Sequence, residues 1–211
     1  MRSSKKQLKN AKLYLILDSR VNDYDTLLEI LAKAMAAGVD MVQLRDKFGR
    51  AREVLKFCQS AERIIKGRLP FIINDRVDLA MTAWSCGVHL GQDDIPIKAA
   101  RKLMGEEAII GISCQSWEHA RRAEQEGADY VGFGSVFHTQ TKPERSPTDL
   151  KVLARVFKDI RIPVFAIGGI NQMNIPQLLK MGVKRVAVCR DICEAGDVAT
   201  KVRDIKKLLV K

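Results

Sequence analysis

Eight short Val/Ile-rich runs, each followed by a longer amphipathic stretch, predict one (β/α)8 TIM barrel of the α/β class spanning all 211 residues. Three observations carry this expectation. The runs are nearly continuous in hydrophobicity, as strands covered on both faces are. Eight β-then-α units average about 26 residues each, which leaves room for a compact barrel and little for insertions. No linker or break in composition divides the chain. An open doubly wound sheet would place a GxGxxG after its first strand, whereas Leu17-Asp18-Ser19-Arg20 stands there.

The elements follow in order. The first strand is expected over Leu13–Leu17. The helix Tyr24–Ala37 follows Asn22 and Asp23 as caps, carries Leu27, Leu28, Ile30, Leu31 and Met35, and stops at Gly38. Met41–Leu44 is the second strand. Its helix, Arg52–Lys66, repeats the pattern with Val54, Leu55, Cys58, Ala61 and Ile65 before Gly67. Pro70 and Pro163 each end a connection just before a strand, where no ladder bond is needed from them. The third strand, Phe71–Asn74, precedes a short helix at Val77–Trp84. The fourth, Gly87–Leu90, precedes another at Ile97–Met104. Then come Ile109–Ser113 with Trp117–Glu126, Tyr130–Phe133 with Asp149–Phe157, Val164–Ile167 with Met173–Met181, and Arg185–Val188 with Val198–Val210.

Bulk properties exclude several functions. With 46% hydrophobic and 29% charged residues the chain is not disordered, and no apolar run approaches the ~20 residues of a membrane span. The basic start lacks the apolar stretch of an export signal, so a cytoplasmic protein is expected. The net charge of +11 is terminal: residues 1–12 carry +5 and residues 201–211 carry +4, leaving +2 for the middle. Residues 1–11 therefore read as a basic N-terminal extension, a solvated tail, and not as a nucleic-acid surface. Five cysteines without a CxxC pair suit a reducing compartment, and Cys58 and Cys86 read as small buried residues. A homo-oligomer is compatible with the sequence and is not dictated by it.

In barrels of this kind the chemistry sits at the C-terminal ends of the strands, and four polar motifs fall there. In Gln43-Leu44-Arg45-Asp46-Lys47, alternation points Gln43, Arg45 and Lys47 to one side, where two cations are costly unless an anion meets them. Asn74-Asp75 ends the third strand and Gln92-Asp93-Asp94 follows the fourth. Asp75 with one of Asp93 or Asp94 makes a pair of hard carboxylates suited to Mg2+. Gly132-Phe133-Gly134-Ser135 leads into a loop whose Thr139, Thr141 and Lys142 supply hydroxyl and ammonium donors for a phosphate. Gly168-Gly169 and Val188-Cys189-Arg190 end strands seven and eight, where backbone N–H groups commonly hold a phosphate. Of the histidines, His89 reads as a packed strand residue and His119 as a helix-surface residue. His138 stands within reach of a substrate without serving as a base.

Together, Val42–Lys47, Ile73–Ala80, Gly87–Asp94 and Thr139–Pro143 resemble the thiamine phosphate synthase family, and Gly132–Phe137 and Ile167–Ile170 fit the same pattern. The similarity runs from Tyr14 to Ile192. It implies a transferase that joins 4-amino-5-hydroxymethyl-2-methylpyrimidine diphosphate to a thiazole phosphate, with pyrophosphate leaving first. Carried over by position, Arg45, Lys47, Asn74 and Lys142 would hold the pyrophosphate, and Lys142, Arg45 and Ser113 would serve catalysis. Asp75 and Asp94 would hold Mg2+, with Asp93 the lesser ligand of its pair. Gln43 and Ser113 would orient the pyrimidine. Thr139 and Thr141, with backbone at Gly169, Cys189 and Arg190, would hold the thiazole phosphate. Three positions depart from the family: His138 replaces a proline, Glu144-Arg145-Ser146 replaces a glycine, and Arg190 stands where many members have serine. A related thiazole tautomerase uses a histidine where this chain has Gln115, and a non-catalytic phosphate-binding barrel would be expected to lose carboxylates or cations that are all present here.

Overall fold

The computed structural model, which describes residues 4–83, 85–140 and 146–210, closes eight parallel strands in sequential order, each hydrogen-bonded to its neighbours. The strands are β1 Leu13–Asp18, β2 Met41–Arg45, β3 Phe71–Asn74, β4 Gly87–Leu90, β5 Ile109–Cys114, β6 Tyr130–Phe133, β7 Val164–Ile167 and β8 Val186–Val188. Helices alternate with them: α2 Tyr24–Ala36, α3 Ala51–Ile65, α4 Val77–Thr82, α5 Ile97–Met104, α6 Trp117–Gln125, α7 Leu150–Asp159, α8 Ile175–Lys180 and α10 Val198–Val210. The expected (β/α)8 barrel is the observed fold.

Strand alternation builds two separate cores. Leu13, Leu15, Leu17, Val42, Leu44 and Ile73 point outward into the layer between strands and helices. Tyr14, Ile16, Met41, Ile72, Tyr130 and Phe165 fill the barrel interior. Caps fix the helix starts. Asp23 accepts from Thr26 N at 2.8 Å, Ser116 from His119 N at 3.1 Å, and Asp149 from Lys151 N at 2.8 Å.

Among the described residues, two short helices lie outside the eight units. After β8, α9 spans Arg190–Cys193. Before β1, α1 spans Ser4–Asn10, and this corrects the expectation of a solvated tail. Leu8 and Ala11 are buried in the interior core at the N-terminal end of the barrel. Around them, Lys5 pairs with Asp129 at 2.9 Å, Gln7 donates to the Arg68 carbonyl, and Arg185 donates to the Lys9 carbonyl. The lysines turn outward or pair, and the one leucine points in. That division let charge mask an amphipathic turn. Among the described residues no helix is long and apolar enough to cross a membrane.

Candidate active site

Because the inward side of each strand alternates with period two, the last inward residues gather at the C-terminal end of the barrel. There they wall a cavity of about 410 Å3. Gln43, Arg45, Asn74 and Ser113 line one side; Gly168, Gly169, Cys189 and Arg190 line the other. Thr139 and His138 enter from the loop after β6. Thr141 and Lys142 lie outside the described residues.

On the first side, Arg45 is not an unmatched cation awaiting an anion. Its Nη1 lies 2.5 Å from Asp18 Oδ2, and both groups are buried. The register places Asp18 directly beside Arg45 on the adjacent strand. Asp46, next to Arg45 in sequence, instead accepts from Tyr24 Oη at 2.5 Å and from the Phe48 and Gly49 amides, closing the turn into α3. Burial works against ionisation of Asp46, but the Tyr24 hydroxyl and those amides outweigh it and hold the carboxyl below its ordinary value. Asp18 was visible in sequence only as part of a missing glycine motif. The signal that could have found it was its place in the inward series Tyr14, Ile16, Asp18.

Asn74 is the clearest polar group on this wall suited to an incoming acceptor. Its side chain is 7% exposed, and Nδ2 is buried with no hydrogen-bond partner among the described residues. A buried amide donor left unpaired costs about 1–3 kcal/mol, so a site that retains one gains that back when an acceptor arrives.

Lys47, Asp75 and Asp94 are not on the cavity wall, yet they come together beside Asn74. Lys47 is ion-paired with Asp75. Asp75 takes the left-handed conformation at φ 60°, which aspartate tolerates better than bulkier residues. Burial pushes its carboxyl above the ordinary value; the Lys47 ammonium opposes this and the neighbouring Asp94 carboxylate adds to it. Asp94 accepts from Gly91 N at 2.6 Å, whereas Asp93 is exposed. Two adjacent carboxylates in this arrangement fit one hard cation. Among the described residues no group of three or more His, Cys, Asp or Glu side chains is placed to hold a metal, so the ligands these residues would offer are the pair Asp75 and Asp94.

On the second side, Gly169 sits at φ 62°, and a β-carbon there would fall 2.3 Å from the His138 carbonyl oxygen. Only glycine allows the β6 loop to pass this close. Cys189 starts α9, whose first N–H groups lack partners within the helix. Arg190, ion-paired with Glu194, flanks the same space, and its Nε is buried with no partner among the described residues.

Sequence reading missed four interior groups. His89, expected to pack, instead joins Tyr130 and Ser113 at 2.9 Å each, and Tyr14 and Tyr130 bond to one another below the cavity. Asp18 is the fourth of these.

A parallel barrel with Arg45 and an amide unpaired among the described residues on one wall, and glycine-rich loops seven and eight on the other, defines a phosphate-handling barrel enzyme. Comparison with known proteins narrows this. The thiamine monophosphate synthase family pattern matches residues 13–192. The thiamine-phosphate synthase of Syntrophomonas wolfei subsp. wolfei is 40% identical over 93% of this chain and 95% of its own. That of Halalkalibacterium halodurans is 39% identical over 90% and 92%. The solved thiamine phosphate pyrophosphorylase from Pyrococcus furiosus superposes with a TM-score of 0.87, at 34% identity, over 98% of this chain and 97% of that one. The chain belongs to the thiamine monophosphate synthase family and is a transferase.

Proposed function

We propose that the chain couples 4-amino-5-hydroxymethyl-2-methylpyrimidine diphosphate to a thiazole phosphate, giving thiamine phosphate and pyrophosphate. The observation that carries this reading is Asn74 Nδ2, buried with no partner among the described residues, between the cationic strand end of β2 and the Asp75–Asp94 pair. A pyrophosphate there would accept from Asn74, Arg45 and Lys47, with Lys142 closing from the β6 loop. Asp75 and Asp94 would hold Mg2+, which when bound neutralises pyrophosphate charge. Gln43 and Ser113 would orient the pyrimidine. Thr139, Thr141, the backbone at Gly169 and Cys189, and Arg190 would hold the thiazole phosphate on the opposite wall.

In this arrangement the carbon–oxygen bond to pyrophosphate breaks first, and the residues of β2 and β3 stabilise the charge that builds on the leaving group. The thiazole nitrogen then attacks the methylene carbon. Little proton transfer is required, which suits a wall of fixed cations and amides better than a general base. The partners are phosphorylated small molecules, without nucleic acid or membrane. The free cysteines and the chain's composition favour the cytoplasm, and a homo-oligomer fits the fold. The test is to mix purified protein, both substrates and Mg2+ and follow thiamine phosphate by mass spectrometry. Product that requires both substrates supports the reading; its absence with either the carboxylated or the decarboxylated thiazole phosphate would sink it.

A further inference from the structure

Five side chains form a continuous line across the barrel beneath the cavity. Gln43 Nε2 donates to Tyr14 Oη. The Tyr14 and Tyr130 hydroxyls are 2.8 Å apart. Tyr130 Oη lies 2.9 Å from His89 Nδ1, and His89 Nε2 lies 2.9 Å from Ser113 Oγ. Only the two ends, Gln43 and Ser113, reach the cavity wall. Glycines make room for the rings between them. A β-carbon on Gly111 would fall 2.0 Å from Tyr130 Cζ, and one on Gly132 would fall 3.1 Å from His89 Cε1.

Each link in this line shares a single proton, so direction passes along it. Burial keeps both phenols protonated well above the ordinary tyrosine value, and each has one hydrogen to give. With the Gln43 amide donating, Tyr14 must donate to Tyr130, and Tyr130 to His89 Nδ1. The imidazole is then protonated at Nε2 and donates to Ser113, which leaves the serine hydrogen to point into the cavity. Gln43 meanwhile turns its carbonyl oxygen to the cavity. Rotating the amide by half a turn reverses every link: Gln43 then shows its N–H2 and Ser113 its lone pairs. A mixed arrangement leaves two donors or two acceptors facing each other in a buried line, which is costly.

We infer that Tyr14, Tyr130 and His89 are positioning residues that hold Gln43 and Ser113 at opposite hydrogen-bonding polarity. The cavity is thereby always offered one donor and one acceptor. That is the complement of an aminopyrimidine edge, whose ring nitrogen accepts and whose amine donates. The inference rests on the placement of the pyrimidine against Gln43 and Ser113 proposed above. It adds that three residues out of reach of the ring decide how it is read.

The test combines nitrogen-15 NMR of labelled histidine with kinetics. The chain has three histidines, and His119→Gln and His138→Gln assign the signals. In the native protein His89 should show one protonated and one bare ring nitrogen. Tyr130→Phe keeps the ring and removes the hydroxyl on Nδ1, so His89 should populate both tautomers. The kcat/KM for the pyrimidine diphosphate should fall roughly tenfold to a hundredfold, as for one buried hydrogen bond left unmade. Inhibition by inorganic pyrophosphate should change by no more than about twofold, because its contacts are separate. Tyr14→Phe cuts a different link, should give the same pattern, and decides the matter if Tyr130→Phe does not fold. An unchanged tautomer in either folded variant would overturn the relay, as would pyrophosphate inhibition weakening in step with kcat/KM. A wrong pyrimidine placement shows separately. Ser113→Ala would then leave kcat/KM for that substrate unchanged and overturn the substrate-reading part, with the His89 tautomer still reporting on the relay itself.

Discussion

Asp18→Ala removes the only carboxylate that the described residues place on Arg45, and the cost can be worked from the geometry. The pair is 2.5 Å apart, with side-chain exposures of 1% for Asp18 and 9% for Arg45. Breaking a buried pair from one side costs about 3–5 kcal/mol, because the remaining charge stays buried. Asp18 Oδ1 also accepts from Arg20 N at 3.0 Å, worth about 1 kcal/mol more. A loss of about 4–6 kcal/mol in a domain of this size corresponds to a fall in Tm of roughly 10–20 °C. Urea unfolding followed by circular dichroism measures it. The informative companion is Asp18→Leu with Arg45→Met. Replacing both partners by apolar groups is often neutral, so the double variant should recover most of the stability while losing coupling activity, since Arg45 lines the cavity. Asp18→Ala within 1 kcal/mol of the native protein, or a double variant no more stable than the single, would refute this account.

Three other changes test different parts of the site. Asp75→Asn should keep the fold, because asparagine also tolerates the left-handed backbone, while lowering kcat/KM by roughly 10²–10³-fold; excess chelator should abolish coupling in the native protein, and full activity in chelator would remove the metal assignment. Lys142→Ala should lower kcat by roughly 10²–10³-fold with little change in KM for the pyrimidine diphosphate, as expected of a donor that acts mainly as charge builds on the leaving group; near-normal kcat would pass the pyrophosphate role to Arg45 and Lys47. Asp46→Asn should destabilise the protein at neutral pH. The Asp46 carboxyl is held below its ordinary value when folded, so its contribution is present above the unfolded value and lost as pH falls through the folded one. The native and variant urea midpoints should therefore converge in acid, and a gap that persists there would count against the hydrogen-bonded turn.

The strands were legible because both faces of each are covered, which makes the apolar runs dense and their ends sharp. β3, β4, β6 and β7 fall where the sequence places them, and the others differ by a residue at one end. The polar ends of β2 and β3 were legible for the same reason: a charged residue closing an apolar run has few structural roles. What the sequence hid was pairing between strands. Asp18 and Arg45 are 27 positions apart and meet only through register. His89 looked like packing because its neighbours Val88 and Leu90 are apolar, yet those two face outward and His89 faces the interior polar line. The first helix was hidden by its own charge, since one leucine among three lysines carries too little periodicity to read.

That first helix has a consequence for traffic. Leu8 and Ala11 stopper the end of the barrel opposite the cavity, and the Tyr14, Tyr130 and Phe165 rings fill the space above them. Among the described residues, no opening at that end offers either substrate a back door. Both must arrive through the same mouth, and both products must leave by it. The two substrates therefore share one opening, and each must leave room at the mouth for the other to enter or depart.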